Sequence, residues 1–383
     1  MENLIHQHGG DLDAMERNYH IPKKEILDFS GNINPLGFPE SVKKELAAHL
    51  DIISTYPDKE YTALRQAISV YTGADPAHIV VGNGSTELIS TFIQTISAKK
   101  TLILGPAYSE YEREVQLCGS RFIYFPLEEK NDFIVDLEKL LHSLTPEIGM
   151  FIACNPNNPT GTVITTNQME IILRHCKKNN TAVMVDETYI EFSDHLDDIC
   201  SIPLVTEFDN LFVIRGTSKF FAAPGIRLGY GISSNENFLK SLKENQDPWS
   251  VNSLAAFAGE LLFNDKAFIQ KTKELVSSQR KLALEELSHW VNLKTYPSSS
   301  NFILMKLLTN SIHSAEIFEK LIVKKLLIRD ASSYAFLDET FIRFCILNPE
   351  DNKLLLTELK RLVEPPKSST TMYKMSSISA HSV

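Results

Sequence analysis

A lysine at the ligand-facing end of a β-strand can form a Schiff base once its ammonium is desolvated or set beside another cation. Lys219 is so placed, in Thr217-Ser218-Lys219 directly after the apolar run Leu211-Phe212-Val213-Ile214, with Arg227 eight residues on in Pro224-Gly225-Ile226-Arg227-Leu228-Gly229-Tyr230. Asp186, in Asp186-Glu187-Thr188-Tyr189, closes the run Ala182-Val183-Met184-Val185, where a carboxylate can pair with a buried cation and Tyr189 can reach the same ligand. Asn155-Pro156-Asn157-Asn158-Pro159-Thr160-Gly161 uses two prolines to fix a turn from which amide side chains project. Gly82-Asn83-Gly84-Ser85-Thr86-Glu87 joins a β-rich run to a helical one, so N–H groups and hydroxyls face whatever anion sits there. Taken singly, each segment also reads as a surface charge, a cap or a plain turn.

These segments need a scaffold, and the apolar pattern supplies one. Ile79–Val81, Thr101–Leu104, Phe122–Phe125, Met150–Ala153, Ala182–Val185, Leu211–Ile214 and Leu228–Tyr230 are β-rich runs separated by helix-length spacers. That alternation predicts an α/β fold, a mainly parallel seven-stranded sheet covered on both faces. Beyond Trp249 the pattern becomes a long helix over Ser253–Leu287, a strand at Asn301–Met305, a helix near Ser314–Lys324, strands at Leu326–Arg329 and Phe341–Cys345, and a helix over Asp351–Leu362. The expected division is 1–50 joining a small α+β domain, 51–250 as the large domain, 251–364 as connecting helix and small domain, and 365–383 as a disordered tail rich in Ser.

Charge and composition remove other function classes. The chain has 383 residues, 43% hydrophobic and 22% charged, proportions that exclude coiled coil and general disorder. A formal net charge of -10 repels phosphate backbones, so no nucleic-acid partner is expected, and an anionic substrate has to be met by local cations. Cys118, Cys154, Cys176, Cys200 and Cys345 lack paired spacing, so neither a metal site nor a disulfide framework is expected. Neither a basic leader nor an apolar run of membrane-spanning length is evident, which points to no membrane association and to the cytoplasm.

In order, the phosphate turn, Asn-Pro turn, Asp-x-x-Tyr and Ser-Lys with Arg eight later resemble the fold-type I pyridoxal-phosphate enzymes of the aspartate aminotransferase superfamily. His8-Gly9-Gly10, the stretch from Leu27 to Gly37, Tyr56-Pro57-Asp58, Pro248-Trp249-Ser250-Val251-Asn252 and Leu327-Ile328-Arg329 are similar to the L-threonine O-3-phosphate decarboxylases of cobalamin biosynthesis, over about His8 to Leu362. Histidinol-phosphate aminotransferases share the Asn-Pro turn and the lysine segment.

The resemblance implies pyridoxal 5'-phosphate as cofactor, carried by Lys219, which then serves proton transfer. It implies Asp186 at the pyridine nitrogen, Asn158 and Tyr189 at the phenolic oxygen and Tyr108 stacked on the ring. Ser85, Thr86, Ser218 and Arg227 hold the cofactor phosphate, and Tyr56 arrives from the second subunit of a homodimer. Position 216 is Gly where relatives carry Ser or Thr, a gap that Thr217 or Ser218 could fill. Arg343, Arg329, His8, Asn32 and Asn158 are implied at a small phosphorylated amino-acid substrate, L-threonine O-3-phosphate or L-serine O-phosphate. The expected reaction is decarboxylation to an amino-alcohol phosphate. Transamination of histidinol-phosphate type is the alternative, and a fold-sharing protein without turnover is a third reading that retention of Lys219 and Asp186 opposes.

Overall fold

The longer strands carry the apolar runs, and shorter ones join them. In chain order they are β1 (Leu27–Asp28), β2 (Ile79–Asn83), β3 (Lys100–Gly105), β4 (Arg121–Pro126), β5 (Met150–Cys154), β6 (Ala182–Asp186) and β7 (Leu211–Gly216). Then come β8 (Leu228–Ile232), β9 (Leu293–Thr295), β10 (Phe302–Leu307), β11 (Leu326–Leu327), β12 (Arg329–Asp330) and β13 (Phe341–Cys345). The structure is a computed structural model and describes residues 9–364; the expected tail at 365–383 lies outside the described residues.

The seven apolar runs form one sheet in the order β2-β8-β7-β6-β5-β3-β4, with β8 antiparallel to both its neighbours and the other pairings parallel. All residues of β5 and β7 are buried, as strands covered on both faces require. The order reverses between β3 and β5, so their following loops part at the carboxyl edge and open a crevice. Loops after β3, β5, β6 and β7 all end there.

A second sheet, β12-β13-β10-β9, is antiparallel, and β1 pairs in parallel with β11. Leu27–Asp28 thus lies beside Leu326–Leu327 of the C-terminal part. The expected helix over 253–287 is broken into Ser253–Leu262 and Lys266–Leu287. Asp265 accepts from Phe268 N at 3.0 Å, and this capping bond starts a new helix although the apolar period continues through Phe263. The expected strand over 326–329 is likewise divided at Ile328 between β11 and β12, which pair with different partners. Asn301 stays outside β10 and donates through Nδ2 to Asn32 O at 3.0 Å.

Arg280, on the long helix, joins the lobes: Nη1 donates to Phe192 O at 2.9 Å and Ser300 O at 2.7 Å, and Nη2 meets Asp194 Oδ2 at 2.7 Å. Among the described residues, no helix is long and apolar enough to cross a membrane.

Candidate active site

The sheet's carboxyl edge and the second lobe enclose a cavity of about 480 Å³ lined by Lys219, Asp186, Asn158, Tyr189, Arg329 and Arg343, among others. Ser85, Thr86, Tyr108, Ser218, Arg227 and Asn32 also line it, so twelve expected residues meet in one place. Tyr56 does not: it is 78% exposed, and its ring lies 4.7 Å from that of Trp249. His8 lies outside the described residues, while Gly9 beside it lines the cavity.

Lys219 Nζ donates to Gly31 O at 2.7 Å. Desolvation pushes its pKa down to about 8, helped by the positive charges of Arg343 and Arg227 and opposed by Asp28 and Cys345. Its backbone carbonyl accepts from Asn34 N at 3.1 Å, and the Asn34 amide donates to Phe220 O at 2.6 Å and Thr272 Oγ1 at 2.8 Å. The Leu27–Gly37 stretch therefore holds the lysine segment in place.

Asp186 accepts from Tyr111 OH at 2.6 Å, Thr188 N at 3.0 Å and Thr188 Oγ1 at 2.5 Å. Burial still raises its proton affinity above the ordinary carboxylate range. A buried carboxylate held only by neutral donors gains most from a cationic ligand, such as a protonated ring nitrogen.

Of the three asparagines in the Asn-Pro turn, two hold backbone. Asn155 Nδ2 donates to Ile164 O and Ile199 O at 2.9 and 3.0 Å, and Asn157 Nδ2 donates to Pro106 O at 3.0 Å. Asn158 faces the cavity, its Oδ1 accepting from Arg343 Nη1 and, at 3.3 Å, from Tyr334 OH. Tyr189 OH accepts from Asn32 Nδ2 at 3.4 Å, and burial holds its phenol above the usual range.

The anion cradle lies at the start of the helix Ser85–Ile96. Gly84 has φ +80°, and a Cβ there would lie 2.3 Å from Arg227 Nη2, so the guanidinium rests over the turn. Gly229 brings β8 so near that its Cβ would lie 2.5 Å from Ser85 N. At Gly216 an added Cβ would be in ordinary contact with Ser85 at 3.5 Å. Thr217 does not fill that place, because its hydroxyl is turned away to Leu228 O at 3.1 Å; Ser218 lines the cavity instead.

On the opposite wall Arg329 and Arg343 are register partners across β12 and β13. Arg343 Nη2 donates to Ser30 O at 2.7 Å, Nη1 reaches Tyr334 OH at 3.1 Å, and its carbon Cζ stands 5.1 Å from the Phe302 ring. Arg329 Nη2 donates to Ser333 Oγ at 2.7 Å and the guanidinium lies 5.2 Å from the Tyr334 ring. Buried Arg343 Nε and Asn32 Oδ1 have no hydrogen-bond partner, one donor and one acceptor to be met by a ligand.

A family model described as aminotransferase class I and II matches residues 24–359. The chain belongs to the aminotransferase class I and II family. Within it, the chain is 40% identical over 359 residues to a protein of Caldanaerobacter subterraneus subsp. tengcongensis named "Putative threonine-phosphate decarboxylase", covering 94% of each chain. The threonine-phosphate decarboxylase of Salmonella typhimurium is 32% identical, with 93% of this chain and 96% of that one covered. A solved histidinol-phosphate aminotransferase from Clostridium acetobutylicum superposes with a TM-score of 0.82 at 30% identity, over 88% of this chain and 99% of that one. The class I and II cofactor, pyridoxal 5'-phosphate, fits the cavity: a lysine with a depressed pKa, a buried carboxylate lacking a cation and a helix-start cradle under Arg227 lie on its wall.

Sequence reasoning missed Tyr111, Thr188, Ser30 and Tyr334. Thr188, two residues after Asp186, is the place where an Asx turn puts its donor. Tyr334 sits in an irregular loop with no periodic signal.

Proposed function

We propose that the chain decarboxylates a phosphorylated L-amino acid, L-threonine O-3-phosphate, to (R)-1-amino-2-propanol O-2-phosphate and carbon dioxide with pyridoxal 5'-phosphate as cofactor. The observation that carries it is the in-register pair Arg329 and Arg343 opening onto the cavity of Lys219, in a chain whose relatives include threonine-phosphate decarboxylases. Two guanidiniums suit a substrate with two anionic groups.

When bound, the cofactor supplies an electron sink for the bond broken at the substrate's Cα. Lys219 would hold it through Nζ, and the same Nζ would move a proton at the substrate's Cα. Asp186 would keep the cofactor's ring nitrogen protonated, Asn158 and Tyr189 would hold its phenolic oxygen, and Tyr108 would cover it. Ser85, Thr86, Ser218 and Arg227 would grip the cofactor's phosphate. Arg343, with Nε open, takes one acid group of the substrate; Arg329 takes the phosphate, with His8 and Asn32 closing the site. By fixing the substrate's two acid groups, Arg343 and Arg329 would set which bond at Cα is exposed to cleavage.

Release of carbon dioxide from L-threonine O-3-phosphate by the purified holoenzyme, without need of a 2-oxo acid, is the expected result. Turnover that requires 2-oxoglutarate and frees no carbon dioxide would instead place the chain with the histidinol-phosphate aminotransferases.

The working unit in this proposal is a homodimer in the cytoplasm, each site completed by the other subunit's copy of Tyr56. Tyr56 is exposed and does not line the cavity of its own chain, on a segment that also exposes Leu50 and Ile53. Mixing Tyr56→Phe chains with Lys219→Ala chains gives hybrids with one doubly defective and one intact site. Activity recovers partly if the site is shared; absence of recovery after demonstrated subunit exchange argues for self-contained sites.

A further inference from the structure

Tyr334 belongs to the loop after β12, and nothing in the reaction above uses it. Its hydroxyl is placed among the charges that recognise the substrate: it accepts from Arg343 Nη1 at 3.1 Å and donates to Asn158 Oδ1 at 3.3 Å, while Arg329 lies 5.2 Å from the centre of its ring. The two guanidiniums also pull the phenol below its ordinary pKa against the effect of burial. Asn158 Oδ1 already receives Arg343 Nη1 in a short bond, so it does not depend on Tyr334. A phenolic hydrogen turns about the C–O bond without moving a heavy atom, and this one can leave its long bond for a better acceptor.

We propose that Tyr334 is a specificity-determining residue whose hydroxyl donates to the substrate phosphate held by Arg329, turning its hydrogen from Asn158 to the incoming anion. The ring face under Arg329 and the oxygen beside Arg343 place that donor at the meeting point of both cations. The proton stays on the phenol, so no charge is transferred. Neutral discrimination follows: an amino acid without the phosphate leaves the hydroxyl on Asn158, at no cost relative to the free enzyme. This inference rests on the phosphorylated substrate proposed above and adds the residue that reads it.

Tyr334→Phe in the holoenzyme tests it. The loop is held by backbone bonds that the substitution keeps, Tyr334 N to Ala331 O and Leu337 N to Tyr334 O, both at 3.1 Å. A hydrogen bond to a charged acceptor is lost, so KM for L-threonine O-3-phosphate should rise about tenfold or more with kcat changed by less than about threefold. Inhibition by inorganic phosphate should weaken by a similar factor. For L-threonine the specificity constant should stay within about threefold, and the visible band of the bound cofactor should be unchanged. An unchanged KM for the phosphorylated substrate, or equal losses with and without phosphate, would overturn the proposal. The activity of the unaltered enzyme on L-threonine O-3-phosphate reports on the proposed reaction, and the ratio of variant to unaltered enzyme reports on Tyr334, so the two failures are distinguishable.

Discussion

Lys219→Ala is expected to lower turnover by about a thousandfold or more while leaving the circular dichroism of the folded chain unchanged. The side chain makes one hydrogen bond, to Gly31 O, and its backbone is held independently through Asn34, so the loss falls on chemistry and not on the fold. Cofactor attachment carries a pH signature. An amine with pKa about 8 is mostly protonated at pH 7 and cannot attack a carbonyl; it becomes free as pH rises through that value. In the unaltered apoprotein the rate at which the visible band appears should therefore climb between about pH 7 and 9 and then level, whereas an ordinary exposed lysine would still be climbing near its usual pKa of about 10.4. Borohydride reduction followed by peptide mass spectrometry should find the adduct on Lys219, and an adduct elsewhere would end the assignment.

Removing the second guanidinium should be nearly as costly for the right substrate. Arg329→Ala is expected to lower kcat/KM for L-threonine O-3-phosphate by about a hundredfold or more, since losing one partner of a desolvated charged pair costs on the order of 2–5 kcal/mol. A chain of net charge -10 offers little long-range help to a multiply charged anion, which leaves the work to nearby cations. L-Threonine, without the phosphate, should be affected little. Arg343→Ala should impair both substrates if it holds the carboxylate, and it also deprives Asn158 Oδ1 of one of its two donors. The four ratios of variant to unaltered kcat/KM separate these cases, and equal losses for both substrates in Arg329→Ala would leave Arg329 a structural residue.

The large sheet was legible because its strands are buried on both faces, so runs such as Met150–Ala153 and Leu211–Ile214 are apolar throughout and cannot be mistaken for amphipathic surface. Its carboxyl-edge residues were legible for a related reason: Asp186 and Lys219 are charges set at the ends of such runs, where a plain fold has no use for them. Asn158 could be picked only together with its neighbours, since the division of labour among the three amides depends on which carbonyls the turn meets. The helix break after Leu262 was hidden because Phe263 keeps the apolar period while a local bond to Asp265 overrides it. Tyr334 was invisible because its value comes from two arginines brought to it by strand pairing, a tertiary fact with no local spacing.

The fit of Gly9 against Ser30 bears on how the protein can be handled. A Cβ at Gly9 would lie 2.3 Å from Ser30 O, Gly10 N donates to Ser30 Oγ at 2.8 Å, and Gly9 lines the cavity while Ser30 O is in use by Arg343. Any side chain at position 9 would therefore push Ser30 O away from Arg343, so this position tolerates little exchange when the protein is engineered. The helix Pro349–Val363, none of whose residues line the cavity, carries no such constraint, and a label attached on its exposed face stays clear of that wall.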